Sequence, residues 1–170
     1  IEQNLLRFPQ AKNASSVYGS AIHKALEDAH VLMRRDGKLP PLQTLITIFT
    51  KELSRGRLLD HEMEKNKIRG EKVLARYYDI KKNDIKAEHL VEINFAKQSV
   101  MVEGALFTGK IDKIVEDEEG NWEVVDLKTG KGASGWDEKG KEYTELKLHN
   151  YRHQLLMYKV LVENSRDYHT

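Results

Sequence analysis

Two short apolar runs, residues 104–115 and 122–128, are separated by one acidic turn, Asp117-Glu118-Glu119-Gly120-Asn121. Few folds accept that pattern, and it predicts an antiparallel β-hairpin. With the turn centred on Glu119, Asp112 faces Asp126 and Ile114 faces Val124. Opposed residues of a hairpin share a face and lie about 4.5–5.5 Å apart at Cβ. Lys128 falls on the face of Asp126, because side chains alternate along a strand. One face of the hairpin therefore runs from apolar, at Ile114 and Val124, to charged, at Asp112, Asp126 and Lys128.

Two carboxylates that close repel each other unless one is protonated or a cation lies between them. Carboxylate oxygens suit Mg2+ or Mn2+. Such an ion polarises a phosphodiester and lowers the pKa of a bound water, while an adjacent lysine orients that water or stabilises charge on the phosphate. Asp112, Asp126 and Lys128 are thus the candidate catalytic residues, the two aspartates doubling as metal ligands.

The chain before the hairpin is helical in period. Tyr18, Ile22, Ala25, Leu26, Ala29 and Met33 form one apolar stripe, with Ser15 or Ser16 as the N-cap and Asp36-Gly37-Lys38 as the stop. Pro40-Pro41 opens a second helix, striped by Leu42, Leu45, Ile46, Phe49 and Leu53. A third runs from about Asp60 to Tyr78, rich in Lys, Glu and Arg and weakened by Gly70. Near Glu88 the period changes to alternation, and Val91, Ile93 and Phe95 read as one face of a strand. Residues 129–141 are rich in Gly and Lys and read as a mobile loop. From Leu148 a last helix carries Leu148, Tyr151, Leu155, Tyr158, Leu161 and Val162. Helices, then strands, then a helix predict an α/β domain whose mixed sheet has helices packed against it.

Other groups gather around the hairpin. His23 lies one position off the first apolar stripe, with Glu27 and His30 on its side of the helix. Its imidazole is a candidate metal ligand. Gln154 and Tyr158, four apart on the closing helix, can both hydrogen-bond a phosphate or a ligating carboxylate. Glu92 enters from the neighbouring strand as a supporting residue more than a ligand. Lys131 and Lys139, in the loop after the hairpin, are candidate nucleic-acid contacts.

This order of motifs resembles the RecB-like branch of the PD-(D/E)XK nucleases. The resemblance rests on Gly19 and His23, Gly109 and Asp112, Asp126 and Lys128 with Thr129 and Gly130, and Gln154 and Tyr158, and it extends over residues 18–162. It implies a restriction-endonuclease-like core. It implies His23, Asp112 and Asp126 as metal ligands, with the Leu127 carbonyl as a backbone ligand. Lys128 is catalytic by the same resemblance, and Gln154 and Tyr158 brace the site or touch DNA. Ile111 stands before Asp112 where the superfamily's name has proline, as is usual in this branch. The implied protein is a Mg2+- or Mn2+-dependent deoxyribonuclease, exonuclease or endonuclease, of DNA repair and recombination. Its implied partners are DNA and a UvrD-like helicase portion of the same chain or complex.

Composition narrows the field. The 170 residues fit one nuclease domain, 1–80 mainly helical, 88–129 sheet with the site, 148–164 the closing helix. The chain opens at Ile1 and reads as a piece of a longer protein. There are no cysteines, which excludes the iron–sulfur cluster of some relatives, along with zinc–thiolate sites and a thiol nucleophile. That agrees with a cytoplasmic setting. A net charge of +1 places any DNA contact in local patches. No apolar run reaches the ~18 residues of a membrane span. Two other functions use the same residues: a DNA-docking or subunit-contact module that does not cut, and a hydrolase of another phosphoester.

Overall fold

The computed structural model describes residues 13–130 and 142–168. The chain divides into two compact units, Ile1–Ile85 and Lys86–Thr170.

The first unit is built from helices α1 (Ala14–Asp36), α2 (Leu42–Arg55) and α3 (Asp60–Lys81), followed by a 3-10 turn at Lys82–Asp84. The α1 stripe is buried at Tyr18, Ile22, Ala25, Leu26 and Ala29, as its spacing predicts. His30 is buried too. The cap differs from the expectation. Asn13, not Ser15 or Ser16, is the N-cap, its Oδ1 accepting the Ser16 N–H at 2.7 Å. Gly37 ends α1 at φ 65°, a left-handed conformation that costs glycine least.

Leu45, Phe49 and Leu53 are fully buried on α2. Phe49 meets the Tyr18 ring edge-on, with centroids 6.0 Å apart. Gly70 does not weaken α3 so much as let it approach. A Cβ at that position would lie 2.1 Å from Phe49 Cζ, so the bare backbone is what the aromatic ring packs against.

The second unit holds β1 (Leu90–Asn94), β2 (Val100–Val102), β3 (Ala105–Phe107), β4 (Lys110–Glu116), β5 (Trp122–Val125) and α4 (Glu142–Glu163). Strands β1, β4 and β5 form an antiparallel sheet in the order β1-β4-β5, and β2 pairs with β3. Ile114 faces Val124, the register that a turn centred on Glu119 predicts. Asp117 organises that turn, accepting the Glu119 and Asn121 backbone N–H groups at 2.9 and 2.8 Å. Its carboxyl is held below the ordinary aspartate range, first by the Asn121 side chain and then by these N–H groups.

Three strand expectations change. Residues 104–115 are two strands, not one, broken at Thr108-Gly109, where the Gly109 carbonyl accepts the Phe95 N–H at 2.9 Å. Phe95 leaves β1 for a 3-10 turn and is fully buried. Regular β5 stops at Val125, short of Lys128. The β2–β3 hairpin has no counterpart in the sequence reading. Its two-residue turn, Glu103-Gly104, has φ 49° and 82°, which matches the type I′ geometry of tight hairpins.

The core of this unit joins Phe95, Val100, Ile111 and Ile114 to Tyr158, Leu161 and Val162 of α4. Leu155, read as part of that stripe, is 40% exposed. The loop at 131–141, with Lys131 and Lys139, lies outside the described residues. No described helix is long and apolar enough to cross a membrane.

Candidate active site

The sheet order places β4 between β1 and β5, and the two registers line up one row of acids. Val91 pairs with Lys113 and Ile93 with Ile111, so Glu92 faces Asp112 from one side. Lys113 pairs with Val125, so the next residue, Asp126, faces Asp112 from the other. Glu92, Asp112 and Asp126 thus cross the sheet side by side, all half-buried.

Each acid has a partner that holds it. Asp112 Oδ2 accepts the Leu127 N–H at 2.8 Å, which fastens the chain after β5 to the central strand. Asp126 Oδ2 pairs with Lys128 Nζ at 2.7 Å, and Asp126 Oδ1 accepts the Tyr158 hydroxyl at 3.1 Å. Glu92 pairs with Lys110, a residue without a role in the sequence analysis. The one signal that points to Lys110 is its place two residues before Asp112, on the same face of the strand.

Gln154 and Tyr158 close a ring. Lys128 Nζ donates to Gln154 Oε1 at 2.7 Å, and Gln154 Nε2 donates to Tyr158 Oη at 2.6 Å. Tyr158 in turn donates to Asp126, and Asp126 accepts Lys128. Burial first, then the Asp126 charge, raises the Tyr158 hydroxyl above the usual phenol range. It therefore keeps its proton and stays a donor in this ring at any working pH. The Lys128 ammonium also lies 5.0 Å from the centre of the Tyr151 ring, an attraction that sequence spacing did not disclose.

Glu92 carries a further mark. Its φ is 54°, the left-handed region, in the middle of a strand. A non-glycine residue rarely stays there unless its surroundings hold it. Here the ladder on both sides and the Lys110 pair do so. His23 belongs to the first unit, half-buried on α1 beside the buried Ile22. Lys131 lies outside the described residues.

The donor chemistry fits a hard divalent cation. Glu92 and Asp112 offer carboxylate oxygens within 4.8 Å of one another. Metal–oxygen bonds of about 2.0–2.6 Å, the range from Mg2+ to Ca2+, let one ion touch two oxygens about 4–5 Å apart.

A helical unit and an antiparallel sheet with α4 packed on it, carrying acids and a lysine along its hairpin, fit a restriction-endonuclease-like α/β fold. The chain belongs to the PD-(D/E)XK nuclease superfamily, whose sequence model matches residues 2–170. No curated protein and no solved structure matches it.

Proposed function

We propose that this chain is a Mg2+- or Mn2+-dependent deoxyribonuclease of the RecB-like branch, working with a UvrD-like helicase portion in cytoplasmic DNA repair and recombination. One observation carries the reading: the ring in which Asp126, Lys128, Gln154 and Tyr158 hold one another beside Asp112. A solvated surface lysine has no use for two fixed partners that are themselves tied together through Tyr158. A lysine whose amine must meet a phosphate at a set point does.

Asp112 and Asp126 are the acidic ligands of the proposal, and the sequence resemblance adds the Leu127 carbonyl and the His23 imidazole. When bound, the cation polarises the scissile phosphodiester and activates water. The chain's own groups do the rest. The Leu127 N–H holds Asp112 in place by one oxygen. Lys128 presents its ammonium to the developing charge on the phosphate oxygens. Gln154 and Tyr158 fix where that ammonium points, and Lys131 meets the DNA backbone. Both compact units serve one nuclease domain in this reading, which the family match over residues 2–170 supports.

The test is cleavage of DNA by the purified chain with Mg2+ or Mn2+ supplied. Chelation by EDTA is expected to remove activity to background, and readdition of Mn2+ to restore it. Asp112→Asn is expected to stay inactive at every metal concentration, and His23→Ala to require more metal. Activity that survives chelation would reject the reading. Hydrolysis of nucleotide monoesters in preference to DNA would replace it with another phosphoesterase, and absence of any Mn2+ binding would favour a docking module.

A further inference from the structure

We infer that Glu92 is a direct ligand of the catalytic cation, and that the Lys110 ammonium is the charge it holds until the cation arrives. The inference rests on the nuclease reading and extends its metal site to a residue outside the sequence motifs. It deepens the role of Glu92, which the sequence presents as support more than as a ligand.

The geometry supplies three reasons. Glu92 is opposite Asp112 in the β1–β4 register, and their carboxylate oxygens lie within 4.8 Å of one another. Its side chain is only 12% exposed, so its charge is poorly served by water and needs a cation. A cation is present: Lys110, two residues before Asp112, reaches across the ladder to it. Lys110 itself is 56% exposed, so its ammonium can swing into solvent at little cost.

A lysine paired with a carboxylate is a monovalent stand-in for a divalent ion. Both occupants are drawn to the same Glu92 charge, so binding of one weakens the hold of the other. Lys110 thereby keeps neighbouring acids from repelling each other before metal binds. Its release on loading then leaves a positive charge at the rim of the site. The alternative role for Glu92 is to anchor Lys110 and touch no metal. The two roles predict opposite effects when Lys110 loses its charge.

The experiment measures Mn2+ binding to the full chain by calorimetry, with the electron-spin resonance spectrum of bound Mn2+ as a second readout, for wild type, Glu92→Gln, Lys110→Met and Asp112→Asn. Thermal unfolding checks that each variant folds. Glu92→Gln is expected to weaken Mn2+ by more than about 100-fold, beyond the roughly 10- to 100-fold loss that removing an outer-shell partner brings. Lys110→Met is expected to tighten Mn2+ several-fold, because a competitor is gone. Wild-type affinity in Glu92→Gln would overturn the inference. So would Mn2+ affinity unchanged or weakened in Lys110→Met, which decides the matter alone if Glu92→Gln fails to fold. Wild-type protein that binds no Mn2+ would instead overturn the nuclease reading beneath it, whereas loss in Asp112→Asn with none in Glu92→Gln would overturn the Glu92 assignment only.

Discussion

Lys128→Met is expected to slow DNA cleavage about 10³-fold at saturating Mg2+, the loss seen when one fixed donor to a developing oxyanion is removed. Single-turnover rates check it, because they isolate the chemical step from product release. The fold should survive, at some cost. Lys128 is 38% exposed, but the Asp126 side chain it leaves behind is only 10% exposed, so that carboxylate loses its cation where water serves it poorly. Urea unfolding of the variant should therefore show a folded protein of lower stability than wild type. Lys128→Arg is not expected to rescue activity. A planar guanidinium cannot take the place of a compact ammonium held between Asp126 Oδ2 and Gln154 Oε1, each 2.7 Å from Nζ. A Lys128→Met enzyme that cuts at the wild-type rate would remove the lysine from the chemistry.

The ring around Lys128 also separates two kinds of residue that sequence alone treats alike. Gln154 and Tyr158 share a helix face by spacing, and spacing leaves open whether they meet substrate or brace the site. Their bonds favour bracing: Gln154 uses both ends of its amide, on Lys128 and on Tyr158. Tyr158 spends its proton on Asp126 and its ring on the core with Leu161 and Val162. Removing either would loosen the lysine without removing it, a positioning effect smaller than loss of the amine itself.

The hairpin was legible because three signals agreed on it. Acidic turn residues, alternation on both sides and a turn centre at Glu119 fixed one register, and the facing of Ile114 and Val124 follows from it. The α1 stripe and the Gly37 stop were legible for the same reason, each resting on local chemistry. What escaped was set by partners distant in sequence. Thr108-Gly109 breaks a run that reads as one strand because Gly109 must accept Phe95 and admit Leu161, whose Cδ1 lies 2.6 Å from where a Cβ would be. The ammonium of Lys110 meets Glu92 only once β1 lies beside β4. Glu92 itself looked secondary because no local pattern announces a left-handed residue in mid-strand. Leu155 fits the helical period of α4 yet stays open, since period marks a face and not what covers it.

Gly70 is where local and tertiary preferences collide, and the collision predicts a change of sign. Helix propensity alone has Gly70→Ala stabilise α3 by about 1 kcal/mol. Packing says the reverse: the new methyl would sit 2.1 Å from Phe49 Cζ and 2.4 Å from Cε1, and the ring is wholly buried with nowhere to go. Overpacking of that kind costs about 1–3 kcal/mol, so Gly70→Ala is expected to destabilise the helical unit. Phe49→Ala is expected to cost more, about 3–5 kcal/mol, as a large buried ring leaves a cavity facing Tyr18. Combined, the two should not add. With the ring gone the methyl meets empty space, and Gly70→Ala made on top of Phe49→Ala should recover its propensity and stabilise by up to about 1 kcal/mol. Urea unfolding of the four proteins closes the cycle. If Gly70→Ala stabilises wild type as much as it does the Phe49→Ala variant, helix preference governs this position, and the seating of the ring on bare backbone does not.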